Sequence, residues 1–192
     1  MDAPLRLAFP NPAHVAVEGW SDLANGAIHP LVNPAQMLVV AGLALLLGAQ
    51  VPLRVKRPLV VFASTAAIAL GLTAAGISGE VWQPVPCAIA LCLGGVVALG
   101  RPVPPLLVDG FCLIAAVALG LDSGVETAGW VAVLKTLAGT WLGLVLLTFY
   151  TALASSNATG KPWAVAGVRI LGSWIVAISL MVLAFSLTGK GG

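Results

Sequence analysis

The chain has 192 residues, 59% of them hydrophobic and 8% charged, with a net charge of +2 and a mean hydropathy of +1.04. Soluble domains carry about 25% charged residues, so this composition excludes a water-soluble enzyme and a disordered protein. The small net charge likewise excludes a nucleic-acid-binding stripe. A membrane-spanning helix needs about 20 apolar residues, which leaves room for about six spans in one all-α polytopic bundle whose first partner is the lipid bilayer.

Residues 1–33 read as an extracytoplasmic segment, because Pro10, Pro12, Glu18 and Asp22 interrupt any continuous apolar stretch of the kind a signal peptide requires. A single transmembrane domain follows over residues 34–188, with a short tail at 189–192. The first span covers 34–51, with Asn33 as its N-cap and Pro34 at the first helical position. The basic run Arg54, Lys56 and Arg57 separates it from the second span, 58–76. There Ala63, Ala67, Gly71 and Ala75 recur every fourth residue, a small-residue stripe suited to close helix packing in lipid. The third span, 85–100, contains Gly94 and Gly95 and ends at Arg101 and a proline-rich turn. The fourth, 106–121, carries Asp109 near its start, and the loop after it holds Asp122 and Glu126. The fifth, 127–153, includes Lys135 and the GxxxG pair Gly139 and Gly143. The sixth, 162–187, carries Arg169 near its start. Cys87, Cys92 and Cys112 form no CxxC pair and read as small buried hydrophobes.

Lys and Arg concentrate in the odd-numbered loops, whereas Glu80, Asp122 and Glu126 occupy the even ones. The positive-inside rule then puts odd loops in the cytoplasm and both termini outside. Trp82, Trp130 and Trp163 stand near span ends, as interfacial anchors do.

Ionisable groups within lipid are expensive and normally pair or face a cavity. Asp109 and Arg169 start their spans at the same predicted depth and are expected to pair across spans four and six. Lys135, about two turns into span five, either snorkels outward toward Asp122 or Glu126 or places its charge in the bundle centre, where it would repel cations. His29 reads either as a metal- or proton-binding group at the outer mouth of the bundle or as a residue that merely starts a helix. No GxSx nucleophile elbow accompanies it, and the other histidine, His14, lies in the N-terminal segment, so a serine-protease arrangement is excluded.

The run His29-Pro30-Leu31-Val32-Asn33-Pro34-Ala35-Gln36, the span ending Gly48-Ala49-Gln50, the stretch Leu134-Lys135-Thr136-Leu137-Ala138-Gly139 and the pair Arg169 and Gly172 together carry a resemblance. In their order and spacing they resemble the HupE/UreJ family, accessory proteins of hydrogenase and urease systems regarded as nickel or cobalt permeases. The resemblance spans about residues 19–187. It implies a protein of the bacterial cytoplasmic membrane, not an enzyme, with nickel or cobalt as cargo and no resident cofactor. Where that family has an Asp-His pair this chain has Ala35 and Gln36, and Thr136 stands in place of the span-five histidine. Leu119-Gly120-Leu121-Asp122-Ser123 replaces a histidine-rich end of span four. The resulting candidate metal set is His29, Gln36 and Asp122, poorer in nitrogen than nickel prefers. Two functions are therefore expected to compete: a small permease for a metal or another small solute, or a non-transporting subunit of a membrane complex or homo-oligomer.

Overall fold

The computed structural model describes residues 19–77, 84–124, 129–157 and 160–188. Glu80, Trp82, Glu126 and His14, singled out above, lie outside them. The described residues form helices α1 (Asp22–Val32), α2 (Pro34–Gly48), α3 (Lys56–Ala74), α4 (Pro84–Leu99), α5 (Pro105–Leu121), α6 (Trp130–Ser156) and α7 (Pro162–Thr188), and no strand. Helices α2 to α7 coincide with the six apolar runs of the sequence.

Helix α2 is apolar all round, from Met37 to Gly48, and a helix of that kind belongs inside a bundle. It occupies the centre: Val39, Leu43, Ala44 and Leu47 are completely buried. Around it α4 pairs with α7, α3 with α5, and α6 with α1, while α2 itself touches α6, α4, α5 and α7. Helices α3, α6 and α7 are long and apolar enough to cross a membrane, whereas α4 and α5 are shorter. With 15 residues, α2 is about 22 Å long, against about 40 Å for the 27-residue α6 and α7.

Helix α1 lies within the stretch, residues 1–33, that the sequence assigns to an extracytoplasmic segment. Its N-cap is Ser21, whose side chain accepts from the Ala24 N–H. Pro30 lies within it, removing one helical donor. Asn33 ends α1 and starts α2, which together are bent by 76°. Its backbone is extended (φ −87°, ψ 108°), as steric conflict with the following Pro34 requires. Its N–H still bonds the His29 carbonyl, while its side-chain oxygen accepts from Ala35 and Gln36 N–H at 3.1 and 3.4 Å. One asparagine thus closes one helix and opens the next.

Small residues allow the tight contacts. Gly26 of α1 rests on the Thr136 carbonyl, and the GxxxG glycines Gly139 and Gly143 of α6 rest on the carbonyls of Leu23 and Ala27. On the other side Gly94 and Gly172 bring α4 and α7 together: a Cβ at Gly172 would stand 2.7 Å from the Ala98 nitrogen.

Several expectations are corrected. The stripe on α3 is not the packing face: Ala67 and Gly71 are exposed, nothing lies within 4 Å of a Cβ at Gly71, and Phe62, Ala66, Ala69, Leu70 and Thr73 are buried instead. Ala63 is half-buried, and its carbonyl accepts from Trp141 Nε1 at 2.8 Å. Asp109 does not meet Arg169. Its Oδ2 lies 2.9 Å from Arg57 Nη2, because α5 pairs with α3. Arg169 instead donates from Nε to the Ala98 carbonyl at 3.0 Å, because α7 pairs with α4. Lys135 is exposed on α6, which rules out a central ammonium. Cys87 and Cys112 are buried as expected, but Cys92 is exposed.

Candidate functional site

Four segments converge where α1 turns into α2. The last turn of α1 supplies His29, the hinge supplies Asn33, the first turn of α2 supplies Gln36, and the end of α5 supplies Asp122 and Ser123. Gln36 is fully buried and Asn33 and Ser123 nearly so, while His29 and Asp122 are half-buried. The cluster therefore reaches from the interior toward one end of the bundle.

Gln36 is its hub. Its Nε2 donates to Asp122 Oδ2 at 2.9 Å, lies 3.4 Å from Ser123 Oγ and lies 3.4 Å from His29 Nε2. Asn33 Nδ2 donates to the same Asp122 oxygen at 3.3 Å. Ser123 Oγ donates to the Leu119 carbonyl at 2.7 Å. The carboxylate thus accepts two amide donors, which hold it in place. The other end of the Gln36 amide, Oε1, is buried with no hydrogen-bond partner in the structure. An unsatisfied buried acceptor is costly. The nitrogen end of the same amide lies beside an imidazole nitrogen and a carboxylate, and a small cation or a proton-bearing solute reaching Oε1 would satisfy the open end.

The structure therefore brings His29, Gln36 and Asp122 together, which spacing alone did not require. It keeps Lys135, Asp109 and Arg169 out of the cluster, and Glu126 lies outside the described residues. Thr136 sits on the turn of α6 behind α1, its side chain bonded to the Ala132 carbonyl. Asn33 and Ser123 were not foreseen as members. Asn33 was legible as a cap, and its place four residues after His29 was the available signal for a second role. Ser123 had no signal beyond adjacency to Asp122.

The donor set comprises one imidazole, one carboxylate and carboxamide oxygens. Among the described residues no group of three or more His, Cys, Asp or Glu side chains is placed to hold a metal ion. A strong nickel cage, which calls for several nitrogen or sulfur ligands, is not what these residues form. What they offer is one imidazole nitrogen and a carboxylate whose Oδ2 accepts from the amide nitrogens of Gln36 and Asn33.

Comparison with curated proteins and with solved structures finds no match. Comparison with protein families does: the family described as HupE / UreJ protein matches residues 3–182. The match runs through the α1–α2 hinge, the end of α5 and the Arg169 and Gly172 contacts of α7. With nearly its whole length matched and its apolar helices gathered around a buried core, the chain is an integral membrane protein that belongs to the HupE/UreJ family.

Proposed function

We propose that this protein is a small permease whose cargo enters at the His29, Gln36 and Asp122 cluster, and that the cargo is a divalent ion of the nickel and cobalt class. The unpartnered Gln36 Oε1 carries the reading, since it is a buried acceptor with His29 Nε2 and the Asp122 carboxylate beside the same side chain. Lys135 is exposed, so its ammonium does not stand in the bundle centre to oppose a cation. Weak ligation suits transport, because an ion must leave a site as well as enter it.

The cluster lies at the end of the bundle away from the basic connections around Arg54, Arg101 and Lys161. Under the positive-inside rule the basic end faces the cytoplasm, and the cluster and both termini face outward. We assign the protein to the bacterial cytoplasmic membrane on this basis. In a variant with Cys87, Cys92 and Cys112 replaced, an impermeant thiol reagent on intact cells should label single cysteines at positions 80 and 126 but not at 56. Labelling at 56 would reverse the orientation.

Titration calorimetry of the detergent-purified protein with nickel and with cobalt tests the cargo. Stoichiometric binding that disappears in His29→Ala and weakens in Asp122→Asn is expected. Wild-type protein that binds neither ion would overturn the reading and leave a non-transporting subunit of a larger membrane assembly.

A further inference from the structure

A cavity of about 270 Å³ lies at the opposite end of the bundle. It opens where α2 and α6 end and α7 begins, beside the turn that follows α4. Its polar lining is Gln50, Arg101, Ser155 and Arg169, and its apolar lining includes Leu46, Val97 and Val168. Gly100 turns the chain there with φ +61°. A Cβ at that position would stand 3.0 Å from both Cδ and Nε of Arg169, so the glycine lets the arginine lie flat against the turn.

Three observations point to an anion. Arg101 and Arg169 both line the cavity, and neither is ion-paired with a carboxylate among the described residues. The Nε of Arg169 is already committed to the Ala98 carbonyl, which orients the group and leaves its two terminal nitrogens as donors. Ser155 is 7% exposed, and its hydroxyl is buried with no hydrogen-bond partner in the structure. One oriented guanidinium, a second arginine and an unused hydroxyl match the oxygens of a phosphate group.

The apolar wall decides the source of that phosphate. A free inorganic anion gains nothing from contact with Leu46, Val97 and Val168. A phospholipid fills the wall with its glycerol and acyl region while its headgroup meets the arginines. The same end of the bundle carries Arg54 in the connection from α2 to α3 and Lys56 and Arg57 in the first turn of α3. Basic pockets between helices on the cytoplasmic side bind anionic headgroups. We propose that this cavity is a binding site for an anionic phospholipid, its phosphate held by Arg101, Arg169 and Ser155. The site is separate from the metal cluster and independent of the permease reading.

Native mass spectrometry of the full chain in non-ionic detergent, with phosphatidylglycerol or phosphatidylcholine added, tests this. Each arginine near an anionic headgroup is expected to contribute about fivefold in affinity. Wild type should therefore retain phosphatidylglycerol roughly 30-fold over phosphatidylcholine. Arg101→Gln should lose about fivefold of that preference, and Arg169→Lys should keep most of it. Arg169→Gln also removes the bond to Ala98, so the deciding variant is Arg101→Gln, checked for an unchanged unfolding temperature. Equal retention of both lipids, or an undiminished preference in Arg101→Gln, would overturn the proposal. Inorganic phosphate that displaces phosphatidylglycerol at equal concentration would overturn the lipid assignment.

Discussion

Gly139→Val should destabilise the bundle by about 3 kcal/mol, the upper end of what overpacking costs. The new side chain would be driven into the backbone of α1 at Leu23 and Ala27. Backbone cannot turn aside as a flexible side chain can, so α1 must lift from α6. His29 lies on α1, so the same substitution should weaken metal binding as well as stability. Gly71 supplies the control. It lies in a helix interior with open space around it, where alanine is favoured over glycine by roughly 0.5–1 kcal/mol. Gly71→Ala should therefore leave the protein as stable as before or slightly more so. Thermal unfolding of both variants in detergent measures the contrast. Equal tolerance of Gly139→Val and Gly71→Ala would mean that α1 does not pack on α6.

Gln36→His should tighten nickel binding about 10- to 100-fold, a range typical of changes to a metal's immediate support. The Gln36 amide already stands 2.9 Å from Asp122 Oδ2 and 3.4 Å from His29 Nε2. An imidazole there would face both, converting a site with one nitrogen into one with two nitrogens and a carboxylate, closer to what nickel selects. Calorimetry on the variant, with Gln36→Leu beside it, reads the effect. Gln36→Leu should bind less tightly than wild type, since it removes an oxygen and a polar contact to Asp122. A Gln36→His variant no tighter than wild type would show that the three positions do not converge on a common ion.

The six apolar runs, the Asn33 cap and the proline after it were legible because each depends on local chemistry. Helix α1 was not, since Pro30 and the polar residues Asp22, Asn25 and His29 break its apolar pattern. Its stability comes from glycine contacts with α6, a tertiary fact. The α3 stripe misled for a geometric reason: Ala63, Ala67 and Gly71 each follow by one position the buried row Phe62, Ala66 and Leu70, and one position is about 100° round a helix. Spacing alone shows a stripe but not which side of the helix faces the bundle. Asp109 had several candidate cations, and choosing Arg57 over Arg169 requires knowing that α5 neighbours α3 while α7 neighbours α4. Depth alone did not separate them. The cluster residues were legible through the family resemblance, but the hub role of Gln36 depends on the 76° bend, which brings residues 29 and 36 face to face.

The shortness of the buried α2 bears on the electrical work of moving an ion. A membrane potential falls across the low-dielectric part of the barrier, and each elementary charge crossing 100 mV exchanges about 2.3 kcal/mol with it. A divalent ion therefore exchanges about 4.6 kcal/mol over the full drop. The central helix, about 22 Å long, is shorter than a hydrocarbon core of about 30 Å. If the low-dielectric barrier along the path through the proposed permease matches that helix, the same potential falls over a shorter distance and the field is about a third steeper. In the orientation proposed above, an inside-negative potential would then draw a cation from the His29 end inward.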